Sequence, residues 1–195
     1  DRSGVRPPHM IVENVSGRPG KRIHVVQGEH HISSDPDVVL TTILGSCVAV
    51  CMRDPKTGVG GMNHFLLPTG KAEGLDEGRR YGAYAMELLI NELLRSGARR
   101  DRLEAKLFGG ARMFGGLSDV GASNAAFAEK VLRDEAIPVV GSSLGGLSAR
   151  RVQYWPTSGR AQQRVVTDNA ELTRLREPVV RTPAPVEDEG SVELF

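Results

Sequence analysis

The sequence predicts a single α+β domain. Three observations carry this reading: two stretches with helical apolar spacing, a larger number of short β-prone runs bounded by glycine and proline, and one continuous series of such signals from about residue 10 to residue 174. A chain of 195 residues is long enough to bury about 70 % of its unfolded surface around one core. Charged residues make up 25 % and balance to a formal +1, so the chain lacks the basic field that nucleic-acid binding requires. No apolar run reaches the length of a membrane span, and membrane insertion is not expected. The two cysteines, Cys47 and Cys51, lie on one predicted strand, too constrained to bridge each other. That points to a reducing, cytoplasmic setting, with proteins or small molecules as partners.

Taken in order, residues 1–9 contain Pro7-Pro8 and no apolar periodicity, and His9-Met10 reads as a cloning remnant ahead of a natural start at Met10. Lys21 to Gln27 alternates as a strand closed by Gly28, and Asp35-Pro36-Asp37 turns the chain before the apolar run Val38 to Leu44. Val48 to Arg53 and Val59 to Leu66 read as a hairpin around Asp54-Pro55-Lys56-Thr57-Gly58. Thr69 to Gly78 reads as a charged, glycine-rich loop bordering the site entrance. A helix follows from about Arg79 to Ser96, stopped by Gly97.

Leu103 to Phe108 is the next strand, and Gly109 to Gly116 is too rich in glycine for a regular element. That run lacks the phosphate-loop and dinucleotide patterns, so the better reading is backbone passing close to the active site. Ser123 is the expected cap of a helix over Asn124 to Glu135. Pro138 to Val140 is a short strand, and Arg151 to Trp155 with Arg164 to Val166 forms a hairpin around Pro156 to Gly159. From residue 175 to 195 the composition turns acidic and proline-rich with little to bury, and disorder is expected. The terminal Ser191-Val-Glu-Leu-Phe195 is either a frayed end or a tethered docking peptide.

The chemistry concentrates in Leu40 to Val50, which mounts Cys47 just after the Gly45-Ser46 turn, and in Gly60 to Pro68, which carries His64. A free thiol of pKa ~8.5 is mostly protonated at neutral pH; a neighbouring imidazole can take that proton, stabilise the thiolate and later protonate a leaving amine. Backbone N–H groups around Gly45, Ser46 and Cys47 can supply an oxyanion hole, with Asn63 as a further residue near the substrate. A hairpin loop of residues 54–57 sets Cys47 directly opposite His64; a loop of residues 55–58 makes them diagonal neighbours on the same face. Cys51 shares that face but lacks the preceding turn, and reads as a buried structural thiol. His30 and His31 invite a metal reading with the cysteines, but the spacing of a zinc site is missing. They are expected to be exposed loop histidines, and no metal or other cofactor is expected.

These same residues carry a family resemblance. Thr41-Thr-Ile-Leu-Gly-Ser-Cys-Val-Ala-Val50, Asp54-Pro-Lys-Thr-Gly58 and Gly60-Gly-Met-Asn-His-Phe-Leu-Leu-Pro68 resemble the CheD chemoreceptor glutamine deamidases. Lys106 to Phe114, Ala122-Ser-Asn124, Ile137 to Val140 and Gly145 to Arg150 continue the likeness to about Thr167. The resemblance implies a layered α/β/β sandwich with mixed sheets, Cys47 as nucleophile, His64 as general base and acid, and Thr41 as the group that orients the histidine. It also implies a protein-glutamine glutaminase of bacterial chemotaxis adaptation, converting glutamines of methyl-accepting chemotaxis proteins to glutamate through a cysteine thioester, with a receptor methylesterase side activity. A CheC-type phosphatase is the implied regulatory partner. A non-catalytic role beside that phosphatase, or a cysteine peptidase, are the rival readings.

Overall fold

The structure, a computed structural model, describes residues 11–13, 19–68, 72–113 and 119–167. The expected remnant 1–9, the tail from residue 175 and its terminal pentapeptide lie outside these described residues. The first half holds β1 (Ile11–Glu13), β2 (Pro19–His24), β3 (His30–Ser33), β4 (Val38–Leu44), β5 (Val48–Asp54) and β6 (Val59–Phe65). Helix α1 (Ala72–Arg95), β7 (Glu104–Gly109), α2 (Val120–Asp134), β8 (Val139–Leu144), β9 (Arg150–Trp155) and β10 (Arg160–Val165) follow.

Two mixed sheets result. The first runs β1-β2-β4-β9-β10 and the second β3-β6-β5-β7-β8, with parallel pairing only between β2 and β4 and between β7 and β8. Alternation along β5 explains the layering: Val48, Val50 and Met52 join Leu89, Leu93 and Leu132 in the core under the helices. Ala49 and Cys51 instead join Leu40, Leu44, Val152 and Tyr154 between the sheets. The order of layers is therefore helices, second sheet, first sheet, an α/β/β sandwich.

The hairpin register is set by Asp54. Its side chain is buried, accepts from the backbone N–H groups of Lys56 and Arg99 at 2.9 Å each, and pairs with Arg102 at 2.8 Å. Taking Asp54 into the ladder opposite Val59 leaves a loop of residues 55–58, closed by Gly58 at φ +72°. Of the two registers open to the sequence, this one places His64 opposite Ala49 and makes Cys47 its diagonal neighbour.

Beyond shifted strand ends, such as β8 running on to Leu144 and β10 starting at Arg160, the helices and the His30-His31 segment differ from expectation. Helix α1 begins at Ala72, so most of the expected loop 69–78 is helical. Its glycines serve packing: a Cβ would come within 2.9 Å of the Pro68 carbonyl at Gly78, and within 2.5 Å of Leu67 and Phe127 side-chain carbons at Gly82. Helix α2 begins four residues early, capped by Asp119, whose side chain accepts from Ala122 N–H at 2.9 Å, and not by Ser123. His30 and His31 lie half-buried on strand β3, where His30 pairs with Glu92 of α1, and are not exposed loop residues. No helix among the described residues is long and apolar enough to cross a membrane.

Candidate active site

The site lies between the two sheets, where β4 and β6 face each other. His64 is 6 % exposed, on the face of β6 that looks towards β4. Its Nδ1 is 2.8 Å from Thr42 Oγ1 and 3.2 Å from the Val25 carbonyl oxygen. Thr42 Oγ1 itself donates to that carbonyl at 2.7 Å. With the hydroxyl proton directed to Val25, both atoms beside Nδ1 are acceptors, which assigns the proton to Nδ1. Nε2 is thereby left as a lone pair. It is buried and has no hydrogen-bond partner among the described residues.

Cys47 sits in the turn between β4 and β5, and the turn is held through its carbonyls. Gly45 C=O accepts from Ala111 N–H at 2.9 Å, Ser46 C=O from Asn124 Nδ2 at 2.8 Å, and Cys47 C=O from Gly110 N–H at 2.8 Å. Asn124, wholly buried in α2, also accepts from Leu67 N–H at 3.0 Å, tying this turn to the end of β6. Gly109, at φ +109°, lets the backbone lie against the Cys47 carbonyl, where a Cβ would overlap that oxygen. Gly109 and Gly110 thus lie directly against the turn that carries Cys47. The Cys47 thiol donates to Gln27 Oε1 at 3.6 Å.

Burial shapes both titrations. It pushes the Cys47 thiol up to about 11, its own backbone N–H acting in the opposite direction. It pushes His64 down to about 4, against a smaller raising effect from the Val25 carbonyl. At neutral pH the resting residues are a thiol and a neutral imidazole. Burial therefore works against both charges of the thiolate–imidazolium pair expected from the residue types.

Of the expected site residues, the structure brings Cys47, Ser46, Gly45 and His64 to one end of the inter-sheet space. It brings Thr42, not Thr41, to the imidazole. Thr42 shares the face of β4 that carries Leu40 and Leu44 in the inter-sheet core, so Thr41 points to the opposite side of the strand. Thr41 Oγ1 is buried without a partner among the described residues. Asn63 is also removed from the site: its Oδ1 accepts from Val50 N–H at 3.0 Å and its Nδ2 meets Met86 of α1, on the helix side of β6. Val25, Gln27, Thr42 and Asn124 were not singled out as site residues. Strand parity relative to Leu40 and Leu44 was the signal available for Thr42; Gln27 and Asn124 come together only through tertiary contacts.

Comparison with known proteins gives a family match. Residues 66–165 match the family described as CheD chemotactic sensory transduction. Over 180 residues the chain is 62 % identical to a protein of Caulobacter sp. strain K31 named "Probable chemoreceptor glutamine deamidase CheD", covering 91 % of this chain and 94 % of that one. The chain belongs to the CheD family. Proteins of the same name from Caulobacter vibrioides strain NA1000 and Sinorhizobium medicae strain WSM419 are 60 % and 56 % identical, covering 89 % and 90 % of this chain and 93 % and 97 % of theirs. Overlaps of that extent take in the whole segment from Thr41 to His64 of this CheD family member.

Proposed function

We propose that this chain hydrolyses glutamine side-chain amides of chemoreceptors to glutamate and ammonia, with Cys47 as nucleophile and His64 as general base and acid. The observation that carries the reading is the neutral imidazole, fixed with Nδ1 protonated and Nε2 bare, on the inter-sheet face it shares with Cys47. In the proposed reaction, Sγ attacks the carboxamide carbon as Nε2 takes the thiol proton. The oxyanion that forms is met by the N–H groups of Ser46 and Cys47, whose carbonyls are tied back by Asn124 of α2 and by Gly110 N–H. The imidazolium is steadied by the Val25 carbonyl and Thr42 Oγ1 while it hands its proton to the leaving nitrogen. Ammonia departs and a thioester remains. Water, deprotonated by Nε2, attacks the thioester carbon, and the thiol is restored as glutamate leaves.

A receptor glutamate methyl ester fits the same sequence of steps, with methanol in place of ammonia. The proposed setting is the cytoplasm, with a CheC-type phosphatase as regulatory partner. A purely regulatory role predicts that Cys47→Ser leaves receptor adaptation untouched. The deciding experiment is mass spectrometry of receptor cytoplasmic fragments co-expressed with the wild type or with Cys47→Ala. Conversion of glutamine to glutamate without backbone cleavage, in the wild type alone, is expected. Unmodified fragments in both would refute the proposal, and cleaved peptide bonds would favour a peptidase.

A further inference from the structure

The segment between β2 and β3 is anchored around the imidazole. Val25 N–H donates to the Thr41 carbonyl at 2.9 Å, Gly28 N–H to the His64 carbonyl at 2.8 Å, and His64 N–H to the Glu29 carbonyl at 3.1 Å. Glu29 N–H in turn donates to the Val26 carbonyl at 3.0 Å. Gln27 stands in the middle of this segment, and its side chain reaches the nucleophile, with Oε1 accepting from the Cys47 thiol. The group laid against the sulfur is a primary carboxamide, the functional group of the proposed substrate.

We propose that Gln27 is an internal stand-in for the substrate carboxamide, covering Cys47 Sγ in the resting protein and withdrawing when a receptor glutamine enters. The inference rests on the deamidase reading of the site. In a thiol–carbonyl hydrogen bond the oxygen, not the carbonyl carbon, faces the sulfur, and the proton is engaged. The contact therefore shields Gln27 from attack while it caps the nucleophile. Backbone anchors hold the segment on both sides of Gln27, so the side chain can move without disturbing the imidazole.

The test is the rate of Cys47 alkylation by iodoacetamide across pH in the full chain, followed by peptide mass so that Cys51 is read separately. Gln27→Ala should label Cys47 about two- to tenfold faster than wild type, the scale of one weak neutral hydrogen bond. Gln27→Glu should move the profile to higher pH, because a carboxylate beside the sulfur opposes the thiolate. Unchanged melting temperatures would show that neither result comes from loosening. With a receptor fragment as substrate, Gln27→Ala should lower KM by a larger factor than it alters kcat. Profiles of both variants superimposing on wild type would overturn the inference, as would Cys47-dependent conversion of Gln27 itself to glutamate, which would make it a substrate. Labelling needs no receptor, so its failure is separate from a failure of receptor turnover.

Discussion

Cys47 and Cys51 lie four residues apart, one in the turn before β5 and one within that strand, and they occupy opposite chemical situations. Cys51 lies within β5 opposite Met62 and Lys106, 0 % exposed and surrounded by the inter-sheet core. Burial drives its thiol far above the ordinary range, with only Lys106 pulling the other way. Cys47 stands one residue before the strand begins, where the turn carbonyls are held by Ala111, Asn124 and Gly110 and the sulfur meets Gln27. Both sulfurs are disfavoured as thiolates. What separates them is position: only Cys47 sits where the ladder ends, as the diagonal neighbour of His64, whose Nε2 has no hydrogen-bond partner among the described residues.

The comparison breaks most visibly at Cys47. Cys47→Ala should reduce receptor deamidation to background, whereas Cys51→Ala should keep turnover and cost roughly 1 kcal/mol in urea melts by leaving a small cavity. Loss of activity in the Cys51 variant at full folding would erase the distinction. His64→Ala should lower kcat by about a hundred- to ten-thousandfold, the range for a positioned general base; steady-state kinetics on a receptor fragment measures it.

Buried His64 also predicts a pH dependence of stability. Its folded pKa of about 4 lies below the ordinary 6.5, so between these values the unfolded chain binds a proton that the folded chain refuses. This contribution is fully present above pH 6.5 and is lost as pH falls towards 4, on the order of 3 kcal/mol over that window. Urea melts at both ends should show the slope in wild type and a shallower one in His64→Gln. Equal slopes would mean that His64 is not held neutral.

The smallest effects sharpen the assignment of the orienting hydroxyl. Thr42→Val should lower kcat about tenfold, one lost hydrogen bond to the imidazole. Thr41→Val removes a buried hydroxyl that has no partner among the described residues, and should hold or raise the melting temperature. If Thr41→Val costs more kcat than Thr42→Val, the threonine named by the resemblance is the functional one.

Sequence reading reached the hairpin, the shared face of Cys47 and His64, the two helices and the α+β class, because these depend on local periodicity and turn chemistry. It left two hairpin registers open, since the choice turned on Asp54 finding Arg102 and the Arg99 backbone far along the chain. Gly78 of α1 looks like a loop residue until the Pro68 carbonyl is seen packed against it. Thr41 and Thr42 are chemically equal in sequence, and parity with Leu40 and Leu44, which the packing of the two sheets places in the inter-sheet core, fixes which one looks inward. Gln27 and Asn124 reach the turn that carries Cys47 from distant elements; no local pattern marks Gln27, and the Ala122-Ser-Asn124 motif marks Asn124 without revealing its contact.

The central claim is that Cys47, and not Cys51, performs the chemistry. Partial alkylation of the full chain with iodoacetamide, with residual ammonia release from a receptor cytoplasmic fragment plotted against the fraction of each cysteine modified, tests this most directly. Activity should fall in proportion to Cys47 modification and reach background when Cys47 is fully labelled while Cys51 remains free. Substantial ammonia release from protein whose Cys47 is completely alkylated would contradict the account.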